Sequence, residues 1–434
     1  MARVGFVGLS HLGIVSSVAA ASKGHDVIAY DPDPARCQEV DAGRLPIVEP
    51  GLPELFASNR SRLRFTPTPE ALRACEVIVC SADVPTTDEH RSDLSGITRL
   101  LDTVITEASP GTTLVVLSQV PPGFTRRLDE TLQRQQADRR LQAFYQVETL
   151  IVGCAIERAL HPERFIVGCR HPQRDLPPSY AAFLESGGCP ILKMRYESAE
   201  LAKISINLFL ASSICTTNTL AELCEAIGAD WSEIVPALRL DRRIGPHAYL
   251  TPGLGLSGGN LERDLVTASE LAKQHGTEAG IVEAWLADSR YRRDWVLHRL
   301  HASVLSSPAD PVIAVWGLAY KAGTASTKNS PAVALVEALR AWTVHVYDPM
   351  VSLNGTIGPR VSQAPSALEA CRGADALVIM TPWAEFTSAK PAQIRDLMRG
   401  RLLLDPLGVV DGAEWTTLGG RYLRLGAPPV EPHT

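Results

Sequence analysis

The order strand, glycine-containing turn, helix and strand ending in aspartate occurs twice in the chain, and this repeat restricts the possible folds more than any other feature. The first copy occupies residues 3–31 and the second residues 312–349. Further short runs rich in apolar residues, such as residues 77–80 and 113–117, are separated by segments with helical periodicity. Strands that alternate with helices form parallel sheets with crossover helices. The sequence therefore predicts an α/β protein with two doubly wound parallel sheets.

A helical region separates the two copies. Residues 197–227 contain good helix formers, apolar side chains at helical spacing and neither proline nor glycine, which predicts one long helix. Further helices are expected at 232–237 and 261–300, with a loop at 251–260 that holds too much glycine for a helix. We expect the chain to fray after Gly426. The predicted domains are residues 1–195, 196–300 and 301–434.

The composition is that of an ordinary globular protein. Of the 434 residues 45% are hydrophobic and 21% charged, and the net charge of −6 gives no indication of a nucleic-acid partner. The chain begins in a strand-like run rather than a signal peptide, and no apolar stretch predicts a membrane span, so we expect a cytoplasmic protein. The nine cysteines lack CxxC spacing and are expected to be reduced, and no metal site is predicted.

The turn in the first copy has the spacing of a dinucleotide-binding turn. Free amides at a helix N-terminus favour a diphosphate, and an aspartate that closes the next strand suits the ribose hydroxyls of NAD. Serine replaces the middle glycine of the usual GxGxxG pattern, and its side chain could crowd the diphosphate. A turn that needs glycine only for its dihedral angles is the structural alternative. The predicted cofactor-binding residues here are Gly8, Ser10, His11, Leu12, Gly13 and Asp31.

Several longer segments resemble the UDP-glucose and GDP-mannose 6-dehydrogenase family over nearly the whole chain. The resembling segments are residues 46–52, 118–123, 155–164, 197–203 with Asn207, 241–245 and 316–321. The resemblance implies two Rossmann-like domains around a helical centre and a homodimer that forms through that centre. It also implies oxidation of a sugar C6 alcohol to a carboxylate by two NAD, through a thiohemiacetal and a thioester on a cysteine.

The cysteine of that family is replaced in this chain. The family signature GGSCFxKD corresponds to residues 257–264, where Asn260 stands at the nucleophile position and Arg263 at the lysine position. An amide cannot form the thiohemiacetal, because its nitrogen is not basic and its oxygen is a poor nucleophile. Other departures from the family pattern are Gln119, Val152 and Lys328. We expect the second oxidation to lose its usual route.

The resemblance assigns roles to the remaining polar residues. Lys203 would stabilise alkoxide character at C6, Asn207 would bond the same oxygen, and Asp264 would order a water or act as base. A solvated helix lysine and a helix-dipole partner are the structural alternatives for Lys203 and Asp264. Glu148 is expected to contact substrate and water, and Ser118 and Lys328 to contact the cofactor. The implied substrate-binding residues are Arg243, Tyr249, Gly255, Gly258 and Lys321.

Three functions are compatible with this sequence. The favoured hypothesis is an NAD-dependent nucleotide-sugar dehydrogenase that acts on a UDP-hexose type substrate and stops after a two-electron oxidation. One alternative is a complete 6-dehydrogenase in which water adds to the aldehyde and the hydrate gives the second hydride. The other is a non-catalytic nucleotide-sugar-binding protein, in agreement with Ser10 and the missing thiol.

Overall fold

A computed structural model describes residues 2–87, 91–257, 260–306, 310–353 and 358–431. Contacts within it divide the chain into two compact units, Met1–Ile206 and Asn207–Thr434. The boundary between these units falls inside the long predicted helix. The division into three domains therefore stays a prediction.

The first unit contains one sheet of eight strands in its described residues. The strands are β1 (Arg3–Val7), β2 (Asp26–Tyr30), β3 (Leu63–Thr66), β4 (Val77–Cys80), β5 (Thr113–Val116), β6 (Gln142–Gln146), β7 (Phe165–Cys169) and β8 (Ile191–Arg195). The helices are α1 (His11–Ser22), α2 (Pro34–Asp41), α3 (Leu52–Ser58), α4 (Ser95–Glu107), α5 (Phe124–Gln135), α6 (Ala155–Leu160), α7 (Pro178–Glu185) and the start of α8 (Tyr196–Ile227).

The strand order of this sheet is β3-β2-β1-β4-β5-β6-β7-β8, so the order in which successive strands are added to the sheet reverses between β1 and β4. All strand pairs are parallel except β6 and β7, which are antiparallel. The whole of β4 is buried, with Val77 and Val79 in one apolar cluster and Ile78 and Cys80 in another. Burial on both faces explains the continuous apolar runs of the central strands.

The second unit contains a six-stranded parallel sheet in its described part. The strands are β9 (Val312–Trp316), β10 (Thr343–Tyr347), β11 (Val361–Gln363), β12 (Ala376–Ile379), β13 (Leu402–Leu404) and β14 (Arg421–Leu423), in the order β11-β10-β9-β12-β13-β14. The helices are α9 (Trp231–Leu240), α10 (Asn260–His275), α11 (Gly280–Arg293), α12 (Trp295–Leu300), α13 (Pro331–Ala338), α14 (Ala367–Ala370), α15 (Ala384–Thr387), α16 (Pro391–Leu397) and α17 (Gly412–Thr417). The prediction of two parallel-sheet lobes around a helical centre is confirmed.

The second sheet repeats the local design of the first. Asp348 follows β10 as Asp31 follows β2, and its Oδ2 accepts the amide hydrogens of Leu318 and Ala319 at 2.7 and 3.0 Å. The indole of Trp383 donates to the same oxygen at 3.1 Å. Backbone amides of Met350 and Val351 bond the other oxygen. Asp348 is therefore saturated by the protein, unlike a residue that binds ribose.

The structure bears on two expectations, the frayed C-terminus and the absence of a membrane span. The predicted fraying after Gly426 is wrong for the described residues, because Val430 pairs with Tyr422 in an antiparallel bridge and Ala427 is buried. Among the helices of the described residues, α8 alone is long and apolar enough to cross a membrane. Its buried Glu200 and Glu225 bond other parts of the chain, as expected of a core helix.

Candidate active site

Two glycines shape the turn between β1 and α1. Gly8 has φ of +95°, a conformation that other residues rarely adopt. A Cβ atom on Gly13 would lie 1.8 Å from the carbonyl oxygen of Gly8. The turn and the first turn of α1 are thus packed against each other without space for side chains. This arrangement leaves the N-terminus of α1 open to an anion.

Ser10 does not obstruct this turn. Its hydroxyl donates to the carbonyl of Ser81 at 2.9 Å and accepts the amide hydrogen of Asp83 at 3.1 Å. It also caps α1, with a 3.5 Å contact from the amide of Gly13. The side chain is therefore held toward the end of β4, and the expected crowding of a diphosphate does not follow from its presence.

Asp31 lies at the end of β2 beside the turn. One carboxylate oxygen accepts the amide hydrogen of Leu9 at 2.7 Å and the other that of Asp33 at 3.0 Å. A cleft of about 650 Å³ opens here, lined by the turn residues Gly8–His11 and by Asp31, Arg36, Asp83 and Arg99 among others. A parallel sheet with a helix N-terminus, an acidic residue after the second strand and a cleft of this size fits a dinucleotide.

His11, the first residue of α1, contacts a buried carboxylate. Its Nε2 lies 2.7 Å from Oε1 of Glu49, whose side chain is fully buried. Glu49 also accepts the amide hydrogens of Gly153 and Ala155. The loop before α6 is thereby connected to the cofactor turn through a single carboxylate.

The remaining predicted residues of the first unit lie at the carboxyl ends of β5 and β6 and on α8. Ser118 is buried and donates to the carbonyl of Ala82 at 2.6 Å. Lys203 Nζ lies 3.4 Å from Glu148 Oε2, and the two side chains are only 14% and 18% exposed. Glu148 is further bound by the amide of Leu150. Lys203 is therefore part of a mostly buried ion pair and is not a solvated surface lysine.

Glu200, to which the sequence assigned no role, holds the turn at the start of α5. Glu200 is completely buried, and it accepts the amide hydrogens of Gly123 and Thr125 at 2.6 and 2.8 Å. Burial raises the pKa of Glu200 and outweighs these two hydrogen bonds. In the sequence, only its place in the resembling segment 197–203 points to Glu200.

The second unit holds another buried polar group. Asn207 donates from Nδ2 to Oδ2 of Asp264 at 2.6 Å, and Arg263 Nε lies 3.5 Å from Oδ1. All three residues are buried. Asp264 is a member of a buried network and not merely a partner of the helix dipole. Asn260, by contrast, is exposed and is the first residue of α10.

Hydrogen bonds from its backbone amides hold the glycine-rich loop before α10 in place. Gly253 donates its amide hydrogen to Asn218 at 2.8 Å, and Leu256 donates to the hydroxyl of Ser289 at the same distance. Gly255 has φ of +74°, and a Cβ there would lie 2.3 Å from the carbonyl of Ser289. The amides of Gly253 and Leu256 are thus both bonded within the protein. The predicted residue Gly258 lies outside the described residues.

The other predicted binding residues of this unit lie on its surface or near it. Arg243 is 87% exposed in its side chain and forms an ion pair with Asp241 at 2.7 Å. Tyr249 is 45% exposed, and its carbonyl accepts from Ser213 and Thr217. Lys321 lies over the ring of Tyr320, and Lys328 is exposed.

The cysteines are all free, and seven of the nine are buried. Burial raises the pKa of Cys75, Cys80, Cys215 and Cys371 to about 12. Protonated thiols of this kind are poor nucleophiles. Within the described ranges, no group of three or more His, Cys, Asp and Glu side chains could hold a metal ion.

Known proteins that are similar to this chain support the assignment of the cleft and of the two sheets. Family models of the UDP-glucose/GDP-mannose dehydrogenases match in three parts: the NAD binding domain at residues 2–181, the central domain at 197–288 and the UDP binding domain at 314–412. UDP-glucose 6-dehydrogenase of Rhizobium meliloti is 30% identical over 437 residues, covering 98% of this chain and 100% of the relative. That of Rickettsia bellii is 28% identical, covering 98% and 99%.

Solved structures show the same fold. A UDP-glucose dehydrogenase from Pyrobaculum islandicum superimposes with a TM-score of 0.83 at 27% identity, covering 95% of this chain and 96% of that one. UDP-D-ManNAc dehydrogenase from Pyrococcus horikoshii also gives 0.83, at 24% identity, with 98% and 99% covered. Fold and cofactor cleft define an NAD-dependent oxidoreductase. The chain belongs to the UDP-glucose/GDP-mannose dehydrogenase family, whose members are nucleotide-sugar dehydrogenases.

Proposed function

We propose that this protein oxidises the C6 alcohol of a UDP-hexose to the aldehyde and transfers two electrons to one NAD. The observation that carries the proposal is the asparagine at the family's nucleophile position, with Lys203, Glu148, Asn207 and Asp264 all retained. The substrate class rests on the UDP-glucose dehydrogenases to which the chain is similar.

The NAD supplies a hydride acceptor for the alcohol carbon. The Gly8–Gly13 turn would hold its diphosphate and Asp31 its adenosine ribose. The first residues of α1 would offer their backbone amides to the cofactor, and the residues of this turn line the cleft beside them. Ser118, which follows β5, would contact the reacting end of the cofactor.

Oxidation of the alcohol requires loss of one hydride and one proton. NAD, when bound, would supply the acceptor for the hydride of the C6–H bond, and the hydroxyl proton would pass to a base of this chain. Lys203, which is charged and mostly buried, would stabilise the developing alkoxide, and Asn207 would donate a hydrogen bond to the same oxygen. The two residues are four apart on α8, a spacing that puts side chains on one helix face. Asp264 would accept the proton directly or through a water.

The second oxidation lacks a covalent route. Aldehyde addition needs a thiolate, and burial raises the pKa of Cys215 on α8 to about 12, with the charge of Asp288 adding to the effect. Cys224 is also buried with a raised pKa. Without a thiohemiacetal no thioester forms, and the aldehyde is the expected product. We further propose a homodimer and a cytoplasmic location, on the resemblance to the family and on the sequence.

Product mass and NADH yield test this proposal directly. The purified protein is incubated with NAD and a panel of UDP-, dTDP- and GDP-hexoses, and the NADH formed per sugar consumed is measured. One NADH per sugar with an aldehyde product supports the proposal. Two NADH with an acid product indicate that the hydrate route operates, and NAD binding without turnover favours a binding protein.

Asn260→Cys provides the matched variant, because the exposed first position of α10 tolerates exchange without loss of core contacts. If the missing thiol alone blocks the second step, this variant forms acid and two NADH per sugar. Asn260→Ser is its control, since a hydroxyl of similar size is much less nucleophilic than a thiolate. A second gain-of-function variant, Asn260→Cys with Val152→Glu, also restores the family's second carboxylate.

A further inference from the structure

The first residue of α1 is a histidine that lines the cofactor cleft. His11 follows the turn Gly8–Ser10, and its side chain is 23% exposed. A diphosphate at a helix N-terminus carries two negative charges close to such a residue. Any positive charge on His11 would therefore strengthen cofactor binding. This step rests on the NAD-binding role of the cleft.

The contact with Glu49 determines which nitrogen of His11 carries a proton. The buried Glu49 would normally resist ionisation, but hydrogen bonds from Gly153, His11 and Ala155 hold the pKa of Glu49 below its usual value. An ionised carboxylate can only accept hydrogen bonds. His11 therefore donates from Nε2 to Glu49 at 2.7 Å. Its other nitrogen, Nδ1, is a hydrogen-bond acceptor in the neutral ring and a donor only in the imidazolium.

Other charged side chains near His11 also contribute to the electrostatic potential at its imidazole ring. Asp31, Arg36, Asp83 and Arg99 line the same cleft, two acidic and two basic. Among the helices packed on α1, α3 carries the exposed Glu54, while α6 carries the exposed Glu157 together with Arg158. Arg158 is bonded to Thr149 and Glu163. The buried carboxylate of Glu49 is the one ionisable group in direct contact with His11 among the described contacts.

We propose that His11 is a cofactor-positioning residue whose protonated form binds the NAD diphosphate, so that NAD binding takes up a proton. The imidazolium bridges two anions, Glu49 on one side and the diphosphate on the other, and charge-assisted hydrogen bonds are the strong ones. Histidine is the side chain that changes charge between about pH 5 and 8. Affinity for NAD therefore falls as pH rises, by about tenfold or more from pH 5.5 to 8.5.

Glu49 also connects His11 to a second part of the chain. The same carboxylate holds the amides of Gly153 and Ala155, in the loop that follows Glu148. Glu49 therefore connects the imidazole of His11 to this loop through one buried carboxylate, which makes Glu49 a positioning residue.

Calorimetric titration of the full-length protein with NAD alone tests the proposal. Affinity is measured from pH 5.5 to 8.5 at constant ionic strength. At each pH two phosphate-free buffers with different ionisation heats are used, so that the difference in binding heat gives the protons taken up. Wild type is expected to take up a measurable fraction of one proton, with weaker binding at higher pH. His11→Gln should bind with an affinity that hardly varies with pH, and His11→Lys should bind as wild type does at low pH.

His171→Gln is the matched control, because His171 is exposed in the same unit and away from the cleft. It should retain the full pH dependence. A pH-independent wild-type affinity overturns the proposal, as does an unchanged pH dependence in His11→Gln. Absence of NAD binding at every pH overturns it together with the cofactor assignment, and so distinguishes failure of the proposed function from failure of this residue's role.

Discussion

Replacement of Lys203 by methionine removes an ammonium group and keeps the length of the side chain. Lys203 Nζ lies 3.4 Å from Glu148 Oε2, and both side chains are less than one fifth exposed. At this distance and an effective dielectric constant of about 20, the attraction between unit charges is about 5 kcal/mol before desolvation. An alkoxide at a similar distance would be stabilised by part of that energy.

Loss of one preorganised donor to an oxyanion typically lowers kcat by about 10²–10³-fold, or roughly 3–4 kcal/mol. We expect Lys203→Met to show this fall in kcat at saturating NAD and sugar, with NAD affinity unchanged. Lys203→Arg, which retains the charge but not the geometry, should recover part of the rate. The assay is NADH formation under steady-state conditions, with calorimetric NAD binding as the folding and cofactor control. A Lys203→Met variant with kcat within threefold of wild type would refute the catalytic role.

Three further predictions concern the cofactor turn and stability. Gly13→Ala is expected to abolish measurable NAD binding, because its Cβ would lie 1.8 Å from the carbonyl of Gly8, and retained binding in calorimetry would contradict this. Burial and nearby positive charges lower the pKa of His25. The contribution of His25 to stability is therefore present above about pH 6.5 and is lost as pH falls through its folded-state pKa. We expect Tm to fall between pH 7 and 5, and to fall less steeply in His25→Gln. Trp383→Phe removes the indole bond to Asp348 and should cost about 1 kcal/mol, seen as a Tm lowered by about 2–4 °C, whereas an unchanged Tm would show that the bond contributes nothing.

The elements with continuous patterns could be predicted from the sequence. Strands β1, β4 and β9 are short apolar runs buried on both faces, and α8 extends over the segment that has helix formers and no helix breaker. Strand β8 could not be found in this way, because Ile191–Arg195 mixes apolar with charged residues and none of its residues is buried. The antiparallel step between β6 and β7 depends on tertiary pairing and leaves no local signal.

Site residues also differ in whether a local sequence pattern or a long-range contact determines their role. The glycines of the cofactor turn follow from local spacing, since their role is set by backbone geometry within six residues. The direction of the Ser10 side chain depends on Ser81 and Asp83, more than seventy positions away. Glu49 and Glu200 are similar cases, because their partners lie about 40 to 100 positions distant in the chain. Such long-range hydrogen bonds are visible only in the folded protein.

The number of NADH molecules formed per sugar consumed tests the central claim most directly. With a UDP-hexose and excess NAD, the account predicts one NADH and an aldehyde for the wild type, and two NADH and an acid for Asn260→Cys. Two NADH and an acid from the wild-type protein would contradict it, because oxidation would then proceed to the carboxylate without the thiol.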